Sequence, residues 1–367
     1  MEPASLTEWL HPYLVPFYTL SYPVETPKNP DSFPDSSYYR TGPLDLCIMI
    51  SCIAVMAILR DVFRLSLFEP FAQWKFTRDI RLKRSERNAA SKEANGYANG
   101  NGHANEKANG LTNGNGHSHA GTAIDCPLTP KQERKMKRSI MRFAEQGWPA
   151  IYYPLQWAFG FYVYRQLPTK LLDPIDVWTA YPHIPIPGTM KFYYLSQTAF
   201  YTHQILILNA EARRKDHFQM MAHHVITVVL MLLSYYTNFT RVGSLIMVLM
   251  DWCDIFLPLA KMVKYLEVSQ VATDTLFVIW VVSWFVTRHC LYLIVIISSV
   301  WDAPSVIERL WDPARDHYYN KTAYVSFSTM LISLQIIQLM WFALICRIAW
   351  RAFMTGQGAS DDRSDDE

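Results

Sequence analysis

The sequence predicts an all-α polytopic membrane protein with about seven transmembrane helices. Half of its 367 residues are hydrophobic and only 18% are charged, and the charges cluster outside the apolar runs. Several apolar runs approach the roughly 20 residues that a helix needs to cross a bilayer. Several polar side chains inside these runs are expected to face a lumen rather than lipid.

The predicted spans define five segments along the chain. These are a lumenal N-terminal segment (1–43), the first transmembrane helix (44–63), a cytosolic basic segment (64–138), the membrane domain (139–350) and an acidic cytosolic tail (351–367). Within the basic segment, residues 88–123 are rich in Asn, Gly and Ala. Such a stretch has nothing with which to build a core, and we predict a disordered linker there.

The distribution of basic residues predicts the orientation. Seven spans place the two termini on opposite sides, and basic residues crowd residues 60–87, 131–142, 211–217 and 261–264. These segments fall on one side, which the positive-inside rule makes cytosolic. The run at 131–142 would also suit nucleic acid, but a cytosolic collar beside the membrane explains it, so we expect no nucleic acid partner. The six cysteines have no metal-type spacing and imply no disulfide framework.

Four ionisable residues lie inside two apolar helices that a short polar turn, 237–241, joins. His223 and His224 are in the first helix, and Asp251 and Asp254 are in the second. Both pairs lie about 20 Å from the turn, so an antiparallel hairpin brings them to one depth. Ionisable groups at such a depth are costly and indicate function.

The pattern favours proton-transfer chemistry. Asp251 and Asp254 are three residues apart and share a helix face. A carboxylate beside an imidazole orients its tautomer and stabilises the imidazolium. Two alternatives stay open: a hydrogen-bonded His–Asp pair that only holds the hairpin together, and a zinc or iron site. The other histidines lie mostly in loops or the linker, so no metal is expected.

Three sequence stretches closely resemble the ceramide synthases, the longevity-assurance family of TLC-domain proteins. They are FYYLSQTAFY (192–201), EARRKDHFQMMAHHVIT (211–227) and SYYTNFTRVGSLIMVLMDWCD (234–254). An Asn/Gly-rich linker stands where many animal members have a homeobox-like segment, and Met250 stands where many have histidine. Both departures are typical of fungal-type members.

The resemblance implies a fold in which six of the about seven transmembrane helices form a TLC-domain bundle around an intramembrane cavity. It also implies a reaction and its participants. The reaction is transfer of a fatty acyl group from acyl-CoA to the amine of a sphingoid long-chain base (sphinganine, phytosphingosine or similar) in the endoplasmic reticulum membrane. The catalytic residues are then His223, His224, Asp251 and Asp254. Acyl-CoA is a substrate and no cofactor is expected. A small regulatory subunit or a homo- or heterodimer is a further expectation.

The two histidines can divide the chemistry between them. One can deprotonate the amine while the other stabilises the developing oxyanion. Alternatively, one attacks the thioester to form an acyl-imidazole that the amine resolves. We favour His223 as nucleophile and His224 as base, although the roles could be reversed. The alternative functions are a non-catalytic TLC-domain protein that binds or senses lipids, and a transporter with a proton relay. The inverted repeats expected of a transporter are not evident.

Further candidates surround this core. Arg288 is costly in mid-span and needs a carboxylate partner, Asp251 or Asp254. Three cationic residues could bind the phosphates of CoA, or could only set topology: Arg213, Arg214 and Lys215. Two tyrosines and a histidine could line an acyl tunnel, or only pack: Tyr194, Tyr201 and His203.

Two modification sites are also predicted. Asn320 begins an Asn-Lys-Thr sequence on the lumenal side, which is an acceptor for N-glycosylation. Ser364 precedes three acidic residues and fits an acidophilic kinase. The resemblance further implies that the loop before the last span, about 300–319, influences the choice of acyl chain.

Overall fold

The fold is a bundle of helices, seen in a computed structural model that describes residues 12–100, 129–210 and 216–355. In chain order the helices are α1 (Asp45–Phe63), α2 (Glu69–Gly100), α3 (Pro130–Arg165), α4 (Gly188–Ala210), α5 (His217–Tyr236), α6 (Thr240–Asp254), α7 (Phe256–Tyr265), α8 (Gln270–Trp284), α9 (Tyr292–Trp301), α10 (Ala303–Val306) and α11 (Lys321–Thr355). The all-α polytopic prediction is confirmed.

Local sequence signals set several helix boundaries. Thr129 and Gln132 form a capping box at the start of α3, with Pro130 at the first helical position. The side chain of Ser269 caps α8 by accepting from the amide of Ala272. Two π-helical turns in the described residues connect neighbouring helices without a gap in helical structure. Arg64–Phe68 joins α1 to α2, and Phe285–Leu291 joins α8 to α9.

Five stretches are long and apolar enough to cross a membrane. They are Asp45–Ala90, His217–Tyr236, Thr240–Tyr265, Gln270–Val306 and Lys321–Arg351. The other two predicted spans, 148–166 and 189–209, are helical within α3 and α4 but do not reach that apolarity in the described residues. The count of about seven spans therefore stays a prediction, and the multi-pass character is shown.

Helix α4 is the polar centre of the bundle. Tyr193, Tyr194, Ser196, Gln197 and Tyr201 are all buried in it, against α1, α3 and α5. Because protein rather than lipid surrounds these side chains, the helix can carry polar groups that a lipid-facing span could not. This packing accounts for its low apolarity.

The hairpin of α5 and α6 forms as the sequence predicts. Residues 237–239 turn the chain, and Asn238 takes a left-handed conformation with φ of 67°. Its side chain donates to the carbonyl of Asp316 at 2.8 Å, which ties the turn to the loop before α11. We call this end of the bundle the turn end.

The N-terminal segment is built into the turn end by a small sheet. Strands β1 (Pro23–Val24), β2 (Tyr38–Tyr39) and β3 (Ile186–Pro187) pair antiparallel in that order. A second antiparallel pair, β4 (Leu310–Asp312) and β5 (His317–Tyr319), forms within the loop before α11.

A buried ion pair fastens this region to the bundle. Lys191 Nζ lies 2.7 Å from Asp45 Oδ1, and both side chains are fully buried. Lys191 also donates to the carbonyls of Ser21 and Arg40 at 2.8 and 2.7 Å. One cation therefore joins α1, α4 and the N-terminal segment.

The structure differs from the sequence prediction over part of the Asn/Gly-rich stretch. Helix α2 continues to Gly100, so residues 88–100 of the predicted linker are helical. The run AASKEA at 89–94 consists of residues with fair to good helix propensity, which favours that extension. The rest of the predicted linker up to residue 123 lies outside the described residues.

We expect Lys191→Met to destabilise the protein strongly. Removing one partner of a buried pair leaves the other charge uncompensated, at a cost of about 3–5 kcal/mol. Thermal unfolding of the detergent-solubilised protein measures the loss, and the double variant Lys191→Met/Asp45→Asn should recover much of it. Equal destabilisation of the single and double variants would contradict the role of the pair.

Candidate active site

The ion pair between Asp254 and Arg288 lies at the centre of the candidate site. Arg288 Nη2 donates to both carboxylate oxygens of Asp254 at 2.8 Å. The arginine side chain is 5% exposed and the aspartate side chain 20%. The expectation that Arg288 pairs with Asp251 or Asp254 is confirmed, and Asp254 is the partner.

The π-helical turn between α8 and α9 presents Arg288 to α6. Its Nε donates to Cys253 Sγ at 3.1 Å, and its Nη2 also donates to the carbonyl of Met250 at 3.2 Å. The guanidinium lies 4.0 Å from the centroid of the Trp284 ring, which adds a cation–π contact. Such turns widen a helix locally and occur often at functional sites.

Asp251 is held by a second polar network, on α4. The carboxylate is fully buried and accepts from Tyr201 Oη at 3.0 Å and from Gln197 Nε2. Gln197 in turn accepts from Tyr152 Oη at 2.9 Å. The two aspartates of one helix face therefore have different partners, since a cation holds Asp254 and neutral donors hold Asp251.

The two histidines have different surroundings as well. His224 Nδ1 donates to the carbonyl of Met220 at 2.8 Å. Because a carbonyl only accepts, Nδ1 carries the proton and Nε2 keeps a lone pair. His223 packs edge-on against Trp341 with ring centroids 5.2 Å apart, and its Nδ1 has no hydrogen-bond partner in the described part of the chain.

The expected hydrogen bond between an imidazole and a carboxylate is not formed in the described structure. Within residues 12–100, 129–210 and 216–355, no hydrogen bond or ion pair joins either histidine to Asp251 or Asp254. Arg288, Gln197 and Tyr201 take up the carboxylates, and a backbone carbonyl orients His224. The hairpin still brings all four residues to one level, with the His224 ring 6.1 Å from the Tyr201 ring.

Two cavities meet at this level. The apolar cavity runs to the turn end and is lined mainly by apolar and aromatic side chains. The mixed cavity runs to the opposite end and includes Asp216, His217 and Lys261 in its walls. Four residues line both: Tyr201, His223, Asp254 and Arg288. These four side chains therefore mark the junction of the two cavities.

The walls of the apolar cavity extend over a distance close to the length of a lipid chain. They include His223 at one end and Phe239, Tyr319 and Tyr324 at the other. The thirteen steps along α5 from His223 to Tyr236 rise about 20 Å. That length is comparable to a long-chain fatty acyl group.

Tyr194 and Tyr201 both line the apolar cavity, as the tunnel prediction requires, and both also make buried hydrogen bonds. Tyr201 donates to Asp251, and Tyr194 Oη bonds to Ser234 Oγ. The close approach of Tyr194 depends on Gly243, where a Cβ would lie 1.8 Å from Tyr194 Oη. Their role in binding substrate stays a prediction.

The remaining predicted residues lie away from this centre or outside the described residues. Asn320 accepts from the amide of Ala323 at 2.8 Å and so caps α11, and its glycosylation stays a prediction. The CoA-binding candidates Arg213, Arg214 and Lys215 and the kinase site Ser364 lie outside the described residues. No group of three His, Cys, Asp or Glu placed to hold a metal ion occurs in the described segments.

Three supporting residues were not predicted in their roles. Gln197 and Tyr152 hold Asp251, and Trp341 packs on His223. The signal for Gln197 was present, because Tyr194, Gln197 and Tyr201 recur at helical spacing on one face of a predicted span. No comparable signal marked Tyr152 or Trp341, since their partners are far away in sequence.

Comparison with protein families matches residues 142–347 to the TLC domain. The match covers more than half of the chain and includes the four residues that line both cavities. The chain belongs to the TLC-domain family.

Curated relatives of this TLC-domain protein carry more specific names. It is 32% identical over 363 residues to sphingosine N-acyltransferase lag1 of Schizosaccharomyces pombe, which covers 99% of the chain and 75% of that relative. It is 35% identical over 257 residues to ceramide synthase FUM18 of Gibberella moniliformis, covering 63% of the chain and 60% of the relative. It is 36% identical over 228 residues to ceramide synthase hyl-1 of Caenorhabditis elegans, covering 61% of each. The resemblance to ceramide synthases of fungal type is confirmed.

In this TLC-domain protein, we expect Asp254→Asn to lower stability by about 3–5 kcal/mol, because Arg288 then keeps a buried charge without a partner. The double variant Asp254→Asn/Arg288→Met should recover stability in thermal unfolding but not activity, since the carboxylate lines the junction of the cavities. Asp274→Asn serves as the control, because that carboxylate accepts from Gln270 near the start of α8. An active double variant would show that the pair serves the fold alone.

Proposed function

We propose that this protein is a sphingoid-base N-acyltransferase, a ceramide synthase, that transfers a fatty acyl group from acyl-CoA to the amine of a long-chain base. One observation carries the proposal. An apolar cavity and a mixed cavity share His223, Asp254 and Arg288 in their walls. The names of the curated relatives support the same reaction.

Each part of acyl-CoA has a matching environment. The acyl chain enters the apolar cavity, where its burial contributes about 0.8 kcal/mol per methylene group. The thioester then lies at the junction, and the CoA group extends into the mixed cavity. Lys261 lines that cavity, and Arg213, Arg214 and Lys215 directly precede its wall residue Asp216 in the sequence. These cations bind the phosphates of CoA.

The first chemical step forms an acyl-enzyme. His223 Nε2 attacks the thioester carbon, the C–S bond breaks, and CoA leaves as a thiolate with the electron pair of that bond. The acylated ring then releases its Nδ1 proton, which the thiolate takes up. His223 suits this role because it lines both cavities, whereas His224 lines only the mixed cavity. The acyl-imidazole keeps the chain in place while CoA departs.

The second step forms the amide. His224 Nε2 removes a proton from the ammonium form of the base, and the free amine attacks the acyl-imidazole carbon. The C–N bond to His223 breaks, and the imidazole leaves with its electron pair and takes up the second proton that the amine nitrogen loses. The Met220 carbonyl keeps the His224 lone pair on Nε2, which is the atom that must accept the proton. Asp251 and Asp254 hold α6 against α4 and the π-helical turn before α9 around this junction.

The setting of the reaction follows from the same proposal. The enzyme lies in the endoplasmic reticulum membrane, with the N-terminus and the turn end lumenal and the C-terminus cytosolic, as the basic segments favour. The mixed cavity then opens towards cytosolic acyl-CoA. The reaction as written needs no cofactor, and the partners are acyl-CoA, the base and membrane lipids. The proposal also includes association with a small regulatory subunit, or formation of a dimer.

An acylation assay tests the function. The purified protein in detergent, given a sphingoid base and acyl-CoAs from C16 to C26, should form ceramide, and His224→Ala should lower the rate at least about a hundredfold because the base is lost. His203→Gln is the matched control, since this buried histidine lines neither cavity. Product absent with every donor, in detergent and in native membranes, would favour the lipid-binding alternative.

Trapping the intermediate tests the covalent route. Incubation with acyl-CoA and no base should add one acyl group to the peptide that contains His223, detected by mass spectrometry. The adduct should vanish in His223→Ala and decay when a base is added. An adduct on His224 would reverse the two roles, and single-turnover kinetics with no adduct would contradict the covalent step.

A further inference from the structure

The wall of the apolar cavity contains a glutamine whose hydrogen bonding is incomplete. Gln338 on α11 is 1% exposed and lines the cavity. Its Nε2 donates to Met250 Sδ at 3.5 Å, and its Oε1 has no hydrogen-bond partner among the described residues. A thioether is a weak acceptor, so the amide is poorly satisfied on both sides. A buried, unpaired polar atom costs about 1–3 kcal/mol and requires an explanation.

A second unpaired oxygen lies in the same cavity. Thr227 on α5 lines the cavity, and its Oγ1 is buried without a hydrogen-bond partner in the described part of the chain. Thr227 is four residues beyond His223 towards the turn end, and Gln338 is three residues from Trp341 in the same direction. Because His223 packs against Trp341, both unpaired oxygens lie about 5 Å deeper than this contact.

The position of Gln338 relative to the reacting centre is also fixed through α6. The backbone carbonyl of its neighbour Met250 accepts a hydrogen bond from Arg288 Nη2 at 3.2 Å, and Arg288 also pairs with Asp254. The amide therefore lies one side chain away from the junction of the two cavities. A lipid that reacts at His223 passes Gln338 with the first few carbons of its chain.

The chemistry of these atoms limits what they bind. Oε1 only accepts, so it cannot bond to a thioester or amide carbonyl. A hydroxyl group can donate to Oε1 and accept from Nε2 at the same time, and it can also bond to the hydroxyl of Thr227. An unsubstituted acyl chain offers no such group.

We propose that Gln338, assisted by Thr227, binds a hydroxyl group on a lipid substrate a few carbons from the reacting carbon and makes the enzyme prefer the hydroxylated substrate. The inference rests on the proposed function, because it names the substrate class of the same site. The hydroxyl comes either from the sphingoid base or from a 2-hydroxyacyl group. A chain without that hydroxyl leaves the amide unsatisfied, which is the source of the preference.

Substrate pairs that differ by one hydroxyl test the proposal. The pairs are phytosphingosine and sphinganine, sphinganine and its 3-deoxy analogue, and a 2-hydroxyacyl-CoA and the unsubstituted acyl-CoA. In the unmodified protein, kcat/KM for one pair should favour the hydroxylated member about three- to tenfold, the size of one net hydrogen bond. The pair that shows the preference identifies the source of the hydroxyl.

The variants Gln338→Leu and Gln338→Met should remove that preference while the substrate without the hydroxyl is still acylated, and Thr227→Val should reduce it. The ratio within one variant does not depend on the amount of folded protein, and Met offers a flexible second replacement should Leu pack poorly. Gln335→Leu is the matched control, because Gln335 is on the same helix, bonds to His289 at 2.9 Å and does not line the cavity. Its ratios should equal those of the unmodified protein.

The outcomes that overturn the inference differ from those that overturn the function. Unmodified protein that forms ceramide without preference in any pair contradicts the inference alone, as does a preference that persists in both Gln338 variants. Unmodified protein that acylates no member of any pair contradicts the proposed function, and the inference with it.

Discussion

The site depends on one buried ion pair, between Asp254 on α6 and Arg288 in the turn between α8 and α9. A lone charge at this depth would cost several kcal/mol, so neither residue is tolerated without the other. Together with the hydrogen bonds from Arg288 to Cys253 and to the carbonyl of Met250, the pair fixes the spacing between α6 and this turn. It also stands where the two cavities meet, so the constraint that holds the helices together sets the width of the junction.

The other polar residues of the site each have a different kind of partner. The cation Arg288 neutralises Asp254, neutral donors from α4 hold Asp251, and a backbone carbonyl orients His224. None of these contacts uses His223, which lines both cavities and whose Nδ1 has no hydrogen-bond partner in the described structure. The histidine that no hydrogen bond holds is thus the one placed at the junction. The side-chain oxygens of Gln338 and Thr227 likewise have no hydrogen-bond partner in the described structure. They lie about one helical turn deeper in the apolar cavity.

Sequence reasoning found the composition of the site but not its pairing. An HH pair and two aspartates inside apolar helices are conspicuous, and the turn between the helices fixes their depth by simple geometry. The partner of each of these residues depends on how α4 and the turn after α8 are oriented around the hairpin. No local sequence pattern encodes that orientation. Arg288 was predictable because an intramembrane cation demands a carboxylate. Tyr152, Trp341 and the cavities depend on packing between distant segments, and the extension of α2 to Gly100 concerns a boundary that composition sets only loosely.

The central claim is that the acyl chain occupies the apolar cavity with its carbonyl at His223. An acyl-CoA that carries a diazirine at the far end of its chain tests this directly, by photolysis followed by peptide mapping. The label should appear at the turn end, on peptides that contain Phe239, Tyr319 or Tyr324, and unlabelled acyl-CoA should suppress it. Label on the walls of the mixed cavity, such as Trp280 or Ile345, would contradict the account.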